Sequence, residues 1–129
     1  MKNLFFTLLF TIIGTAAFAQ EIDIKDDVVT IDGKPCLKIG GGANNVSIMD
    51  MEGNEIIFLK FIHGSKYGKV YNKITFLDQK ISFTSQSYIY TKKLLIKKLV
   101  QDKTLSDCKL DPAKVEKFAL KMDENIEKD

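Results

Sequence analysis

Few residues in this chain are able to carry covalent or acid-base chemistry. It has one histidine, His63, and two cysteines, Cys36 and Cys108. A hydrolase would need His63 within hydrogen-bonding distance of a nucleophile or of a carboxylate such as Asp50 or Asp78. A structural zinc site needs about four nitrogen or sulfur ligands, which these residues do not supply. We therefore predict no catalytic residue, metal or other cofactor, with a small hydrolase using His63 as the alternative.

Cys36 and Cys108 have two alternative roles. In an oxidising compartment they could form a disulfide, and closing a loop of this length would stabilise the fold by about 4 kcal/mol in the chain-entropy model. The alternative is two unpaired thiols, since sequence spacing does not give the Cβ geometry. The chain has no Cys-x-x-Cys motif, which argues against a thiol-disulfide oxidoreductase.

Two short motifs resemble ligand-binding loops without matching them. Four oxygen-bearing side chains lie within six residues, at Asp50, Glu52, Asn54 and Glu55. An EF-hand loop needs glycine at its sixth position, whereas Gly53 is fourth from Asp50, so a polar hairpin turn is favoured over a calcium site. The glycines at 40–42 lead to another strand and lack the phosphate-binding spacings, which favours a connecting loop.

The tyrosines are the main candidates for ligand binding. Tyr71, Tyr88 and Tyr90, with Tyr67 nearby, fall in or beside predicted strands. Amphipathic rings on the outer face of a sheet can bind sugars, peptides or a protein partner. The alternative is that C-terminal helices cover these rings, since aromatic residues often serve burial.

The basic residues are all lysine, 19 in number. Without arginine the chain lacks the commonest donor for bidentate recognition of phosphate or guanine, and its formal net charge is only +2. We therefore predict no nucleic-acid partner. A group at 92, 93, 97 and 98, with Lys103, could present a basic face to anionic lipid or glycan, or could simply be a solvated helix face.

The first 19 residues predict export. Lys2 precedes an apolar run at 4–13, which is followed by Gly14 and the ending Ala17-Phe18-Ala19. The run is about half the length of a membrane-spanning helix, and this order of segments is typical of a secretory signal peptide. We expect cleavage after Ala19, leaving one domain at 20–129 without a transmembrane span, in the periplasm or at the outer surface.

The mature chain is predicted to be α+β. Alternating or continuous apolar patterns predict strands at 21–25, continued by 28–31, and at 34–39, 46–51, 55–62, 69–77 and 80–90. The Asp32-Gly33 pair predicts a two-residue hairpin turn. We expect an antiparallel sheet of about five or six strands, built from hairpins and followed by two C-terminal helices.

Helical spacing replaces strand alternation after residue 90. A first helix is predicted after a candidate cap at Thr91, with an apolar face at Leu94, Leu95, Ile96, Leu99 and Val100. A second begins at Asp111-Pro112, with an apolar face at Val115, Phe118, Ala119, Met122 and Ile126. Since the strand at 55–62 is apolar on both faces, we expect the helices to cover both.

Several segments together resemble a known group of proteins. The signal ending FAQ, the segment IDGKPCLKI, the strand ITFLD and the tail KKLLIKKLV with LDPAKVEKFALK are similar to small exported proteins of the Bacteroidota, a group without an assigned function. The resemblance covers most of the mature chain and implies a periplasmic or outer-surface location in a Gram-negative cell. We predict a non-catalytic binding or interaction module of the envelope, whose partner is a protein, peptide or glycan. The alternative is a small periplasmic hydrolase using His63 and a nearby carboxylate.

Overall fold

A computed structural model describes residues 20–68, 70–87 and 91–127. The predicted signal peptide, residues 1–19, lies outside the described residues, as do Tyr88 and Tyr90. One antiparallel sheet is formed by β1 (Ile22–Lys25), β2 (Val28–Ile31), β3 (Lys34–Gly41), β4 (Asn45–Met49), β5 (Glu55–Ile62), β6 (Tyr71–Phe76) and β7 (Ile81–Ser85), in that order across the sheet.

Two helices follow the sheet. Helix α1 spans Lys92–Gln101 and helix α2 spans Pro112–Met122. Between them a small hairpin is formed by β8 (Leu105–Ser106) and β9 (Lys109–Leu110). The predicted α+β class, an antiparallel sheet followed by two C-terminal helices, is confirmed.

The sheet has seven strands, more than the five or six expected, because a tight turn divides the N-terminal segment. Asp26 and Asp27 join β1 to β2 with φ values of 52° and 61°. Aspartate tolerates this left-handed region better than most residues. The predicted turn at Asp32-Gly33 has the same form, with φ values of 53° and 79°, as a two-residue hairpin requires.

Both helices pack on one side of the sheet. Their buried residues Leu95, Ile96, Leu99, Val115, Phe118 and Ala119 belong to a single hydrophobic cluster with Ile57, Leu59, Ile74, Phe76 and Phe83 of the sheet. Phe58, Lys60 and Ile62 of β5 alternate with the clustered residues and point to the other side, which we call the open face. The expectation that the helices cover both sides of β5 is therefore wrong.

The helix starts follow the side-chain caps expected from the sequence. The Thr91 hydroxyl accepts a hydrogen bond from the Leu94 amide at 3.1 Å, and the Asp111 carboxylate accepts one from the Ala113 amide at 3.1 Å. These bonds satisfy amides that lack a partner within the helix. Helix α2 ends at Met122, so Ile126 lies beyond it and not on its apolar face.

The turn between β3 and β4 depends on Gly41. Its φ is +85°, and a Cβ at this position would collide with the backbone carbonyl of Asn45. That carbonyl accepts a hydrogen bond from the Gly42 amide at 2.7 Å, so it is not free to move. We expect Gly41→Ala to lower the free energy of unfolding by about 1–3 kcal/mol, measured by urea denaturation.

The neighbouring Gly42 gives a matched control. Its φ is not in the left-handed region, and a Cβ there would meet no atom within 4 Å. Gly42→Ala is expected to change the free energy of unfolding by less than about 0.5 kcal/mol. Equal losses in the two variants would contradict this account of the turn.

Candidate functional site

A disulfide joins the sheet to the β8–β9 hairpin. Cys36 of β3 and Cys108 at the hairpin tip are bonded, with their Cα atoms 5.2 Å apart across 72 residues of chain. Asp107 and Cys108 have φ values of 54° and 62°, as in a tight two-residue turn. Of the two roles considered for the cysteines, the disulfide is confirmed.

A cleft of about 400 Å³ lies beside this disulfide, and we call it the disulfide cleft. Its walls come from the β4–β5 loop, the β6–β7 turn and the β8–β9 hairpin. Its lining combines the disulfide with charged and apolar side chains, among them Asp50, Met51, Ile56, Asp78, Asp107 and Lys109. Met51 is 41% exposed there.

The Asp50 carboxylate stabilises the β4–β5 loop, which forms one wall of the disulfide cleft. One carboxylate oxygen accepts hydrogen bonds from the backbone amides of Glu52 at 3.0 Å and Asn54 at 2.9 Å, and the other accepts from the Asn54 side chain at 3.1 Å. The bonds from Asn54 lower the pKa of Asp50 below its usual value. The segment is thus a polar hairpin turn, and in the described ranges no three His, Cys, Asp or Glu side chains are grouped as a metal site would need.

The remaining lining gives the disulfide cleft a mixed character. Glu52, Asp78 and Asp107 add carboxylates to the rim, and Lys109 adds one ammonium group. Gln79 also lines it, and its Oε1 atom is buried without a hydrogen-bond donor. Because this oxygen is buried, it adds nothing to the surface that a ligand in the cleft could contact. The arrangement suits recognition of a ligand with both apolar and donor groups.

The structure separates His63 from the carboxylates considered for it. His63 is exposed and directly follows the C-terminal end of β5, whereas Asp50 and Asp78 line the cleft near the start of that strand. Eight residues of strand span roughly 25 Å. The His63–carboxylate pair that a hydrolase would require is therefore not formed by Asp50 or Asp78.

Tyr71 is not on an exposed surface. Its side chain is 1% exposed, and its hydroxyl donates a hydrogen bond to the Glu127 carboxylate at 2.7 Å. The Tyr67 ring packs against it edge to face, with centroids 6.4 Å apart. The expectation that the Tyr71 ring is exposed is therefore wrong. The segment that contains Glu127 covers the ring, together with Tyr67. Tyr88 and Tyr90, the other two candidates, lie outside the described residues.

The C-terminal tail, residues 123–127, runs along the edge strand β7. The Glu124 amide donates to the Thr84 carbonyl at 2.9 Å. The Glu124 carboxylate accepts hydrogen bonds from the Ser85 hydroxyl at 2.9 Å and from the amides of Gln86 and Ser87 at 3.1 and 3.2 Å. Burial raises the pKa of Glu124, but these bonds outweigh it and hold the pKa below its usual value.

Glu127 ends the tail on the open face. Its carboxylate lies 2.8 Å from the Lys73 ammonium group and accepts the bond from Tyr71. The hydrogen bonds from Lys73 and Tyr71 lower the pKa of Glu127. Sequence reasoning missed this tail because a charged C-terminus after a helix is usually solvated, and no local pattern pairs it with β6 or β7.

The tail contacts are expected to weaken in acid. A carboxylate whose folded-state pKa is lowered stabilises the fold above its unfolded-state pKa, 4.5 for glutamate, and loses that contribution as pH falls through the folded-state value. The protection factors of the Glu124 and Ile126 amides, which compare their exchange with the intrinsic rate at the same pH, should therefore fall below pH 4.5 before global unfolding. In Glu124→Gln/Glu127→Gln the same amides should already exchange fast at neutral pH, and unchanged protection there would contradict the tail's geometry.

Tyr71 should ionise later than a solvated tyrosine. Burial first, and the Glu127 carboxylate second, raise the pKa of Tyr71 from 10.0 to about 12. Because the folded-state pKa is raised, the stability that the neutral phenol contributes is complete below pH 10.0 and is lost as pH rises through about 12. A pH-jump absorbance titration should show a late ionisation that disappears in Tyr71→Phe. A Tyr71→Phe variant that loses an ordinary ionisation near pH 10 would overturn this prediction.

Comparison with known proteins finds no relative of this chain. No family model, no curated protein and no solved structure matches this chain. Among the described helices, none has the length and apolar character needed to cross a bilayer.

Proposed function

We propose that this chain is a non-catalytic binding module of the bacterial cell envelope and that the disulfide cleft is its binding site. The observation that supports this most directly is the position of the Cys36–Cys108 bond in the cleft wall. A covalent bond between β3 and the β8–β9 hairpin holds the wall in place before a ligand arrives. Preorganisation of this kind lowers the entropy lost on binding.

The lining favours a peptide segment of an envelope protein. Met51 offers an exposed apolar contact, and Ile56 and Leu110 are half-buried beside it. Asp78 and Asp107 would attract a basic side chain or accept hydrogen bonds from backbone amides. Sites that bind small ligands or peptides typically combine an apolar lining with a few placed polar groups, as here.

Export belongs to the same proposal. A disulfide persists in an oxidising compartment, and residues 1–19 have the order of segments of a secretory signal peptide. The resemblance to exported Bacteroidota proteins supports the same location. Together these features favour the periplasm or the outer surface.

Site-specific photocrosslinking in cells tests the proposed site. Met51 and Val70 are similarly exposed, at 41% and 47%, but Val70 is not part of the cleft lining. With a photoreactive phenylalanine analogue at each position of the full chain, we expect a discrete adduct from position 51 and none from position 70. Asp78→Lys should suppress the adduct at 51. Equal adducts from both positions, or none from 51, would contradict the proposal.

A further inference from the structure

The charges of the chain are divided unevenly between helices and sheet. Helices α1 and α2 contain seven lysines, at 92, 93, 97, 98, 114, 117 and 121, and a single acidic residue, Glu116. The rest of residues 20–129 contains 11 lysines and 16 acidic residues. The helical layer therefore carries a formal charge of +6 and the remainder −5, although the whole is nearly neutral.

Five of the seven helical lysines are exposed, and the other two, Lys92 and Lys98, are half-buried. Because both helices bury their apolar sides in one cluster with the sheet, their charged sides point outward. Lys93 and Lys97 are exposed on α1. On α2, Lys114, Lys117 and Lys121 line one shallow cleft of about 300 Å³.

Glu116 on α2 and Asp102 at the C-terminal end of α1 offset part of this positive charge. Asp102 lies 3.6 Å from Lys121, but both side chains are solvated, at 36% and 63% exposure, so their pairing is weak. The acidic residues that follow α2 are hydrogen-bonded to the edge of the sheet. Asp123 accepts a hydrogen bond from the Thr84 amide at 3.1 Å, and the Glu124 carboxylate is bonded to residues 85–87 at the sheet edge.

The same surface presents an apolar side chain. Leu120 lies on α2 between Lys117 and Lys121, and at 75% it is more exposed than Met51 or Val70. One turn before it on the same helix are Glu116 and Lys117, so Leu120 adds exposed apolar area to a lysine-rich helix. On a membrane surface, an exposed leucine can enter the acyl boundary while nearby lysines contact the headgroups.

We propose that this helical surface, formed by the outward sides of α1 and α2 with Leu120, docks on an anionic phospholipid surface. Lysine side chains attract a diffuse negative charge without the fixed geometry that arginine gives to a defined phosphate site. The inference goes beyond the proposed ligand-binding function, because the disulfide cleft and this surface share no lining residue. Docking through the helices leaves the cleft open to a second partner.

Vesicle sedimentation of the mature chain tests the docking. We expect the protein to bind phosphatidylcholine vesicles that contain phosphatidylglycerol but not vesicles of phosphatidylcholine alone, and to be released by salt. Lys93→Gln/Lys97→Gln should weaken binding roughly 25-fold, at about fivefold for each charge removed near the surface. Leu120→Ala should weaken binding without changing its salt dependence, whereas Met51→Ala should have no effect.

A second pair of lysines controls for total charge. Lys38 and Lys60 lie on the open face, and Lys38→Gln/Lys60→Gln removes the same charge from the protein. This variant should bind vesicles like the wild type. Equal losses from both pairs, or binding to soluble heparin but not to vesicles, would overturn the proposal. Vesicle binding without an adduct at position 51 would overturn only the proposed cleft function.

Discussion

Phe118→Ala is expected to lower the free energy of unfolding by about 3–5 kcal/mol. Phe118 is 1% exposed and packs edge to face on two rings of the sheet, Phe83 at 5.6 Å and Phe76 at 6.3 Å between centroids. These contacts join α2 to β6 and β7. Removing the ring leaves a cavity that a rigid sheet cannot close, and so the midpoint of urea denaturation should fall with little change in slope.

Leu120 provides the control two residues along the same helix. Because its side chain is 75% exposed, Leu120→Ala removes no core packing and should change the free energy of unfolding by less than about 0.5 kcal/mol. If Phe118→Ala were as mild as Leu120→Ala, α2 would not pack on the sheet as described.

Removing the disulfide is expected to lower the free energy of unfolding by about 4 kcal/mol. Cys36 and Cys108 are separated by 72 residues, and the chain-entropy model relates a loop of this length to that loss. The measurement is urea denaturation of Cys36→Ala/Cys108→Ala and of the wild type, each with and without reductant. Reductant should destabilise the wild type to about the level of the variant and leave the variant unchanged. A wild type that is insensitive to reductant would contradict the role of the bond.

Strands and helix starts were predictable because their signals are local. The Asp32-Gly33 turn, the caps at Thr91 and Asp111 and the apolar spacing of Phe118 each depend on a few neighbouring residues. The Asp26-Asp27 turn was missed because neither residue is glycine, although both adopt positive φ. Turns of this kind are difficult to predict when the left-handed residues carry a Cβ.

The features of the candidate site that the sequence did not predict depend on contacts between residues far apart in the chain. Tyr71 was expected to be exposed from strand alternation alone, but its hydroxyl meets Glu127, 56 residues away. Ile126 continues the helical spacing of α2, yet the chain has already left the helix, and its amide donates to the Thr84 hydroxyl at 3.0 Å. The cysteine pairing was one of two alternatives, because its Cβ geometry appears only once the hairpin is placed on the sheet.

The central claim is that the chain is an exported module whose cleft is held in shape by a disulfide. Measurement of the intact mass tests this claim most directly. The protein is recovered from cells, alkylated without reductant, and measured again after reduction and alkylation. We predict a chain that begins at Gln20, carries no alkyl group before reduction and gains two afterwards, at Cys36 and Cys108. A chain that retains residues 1–19, or cysteines that alkylate without reduction, would contradict the account.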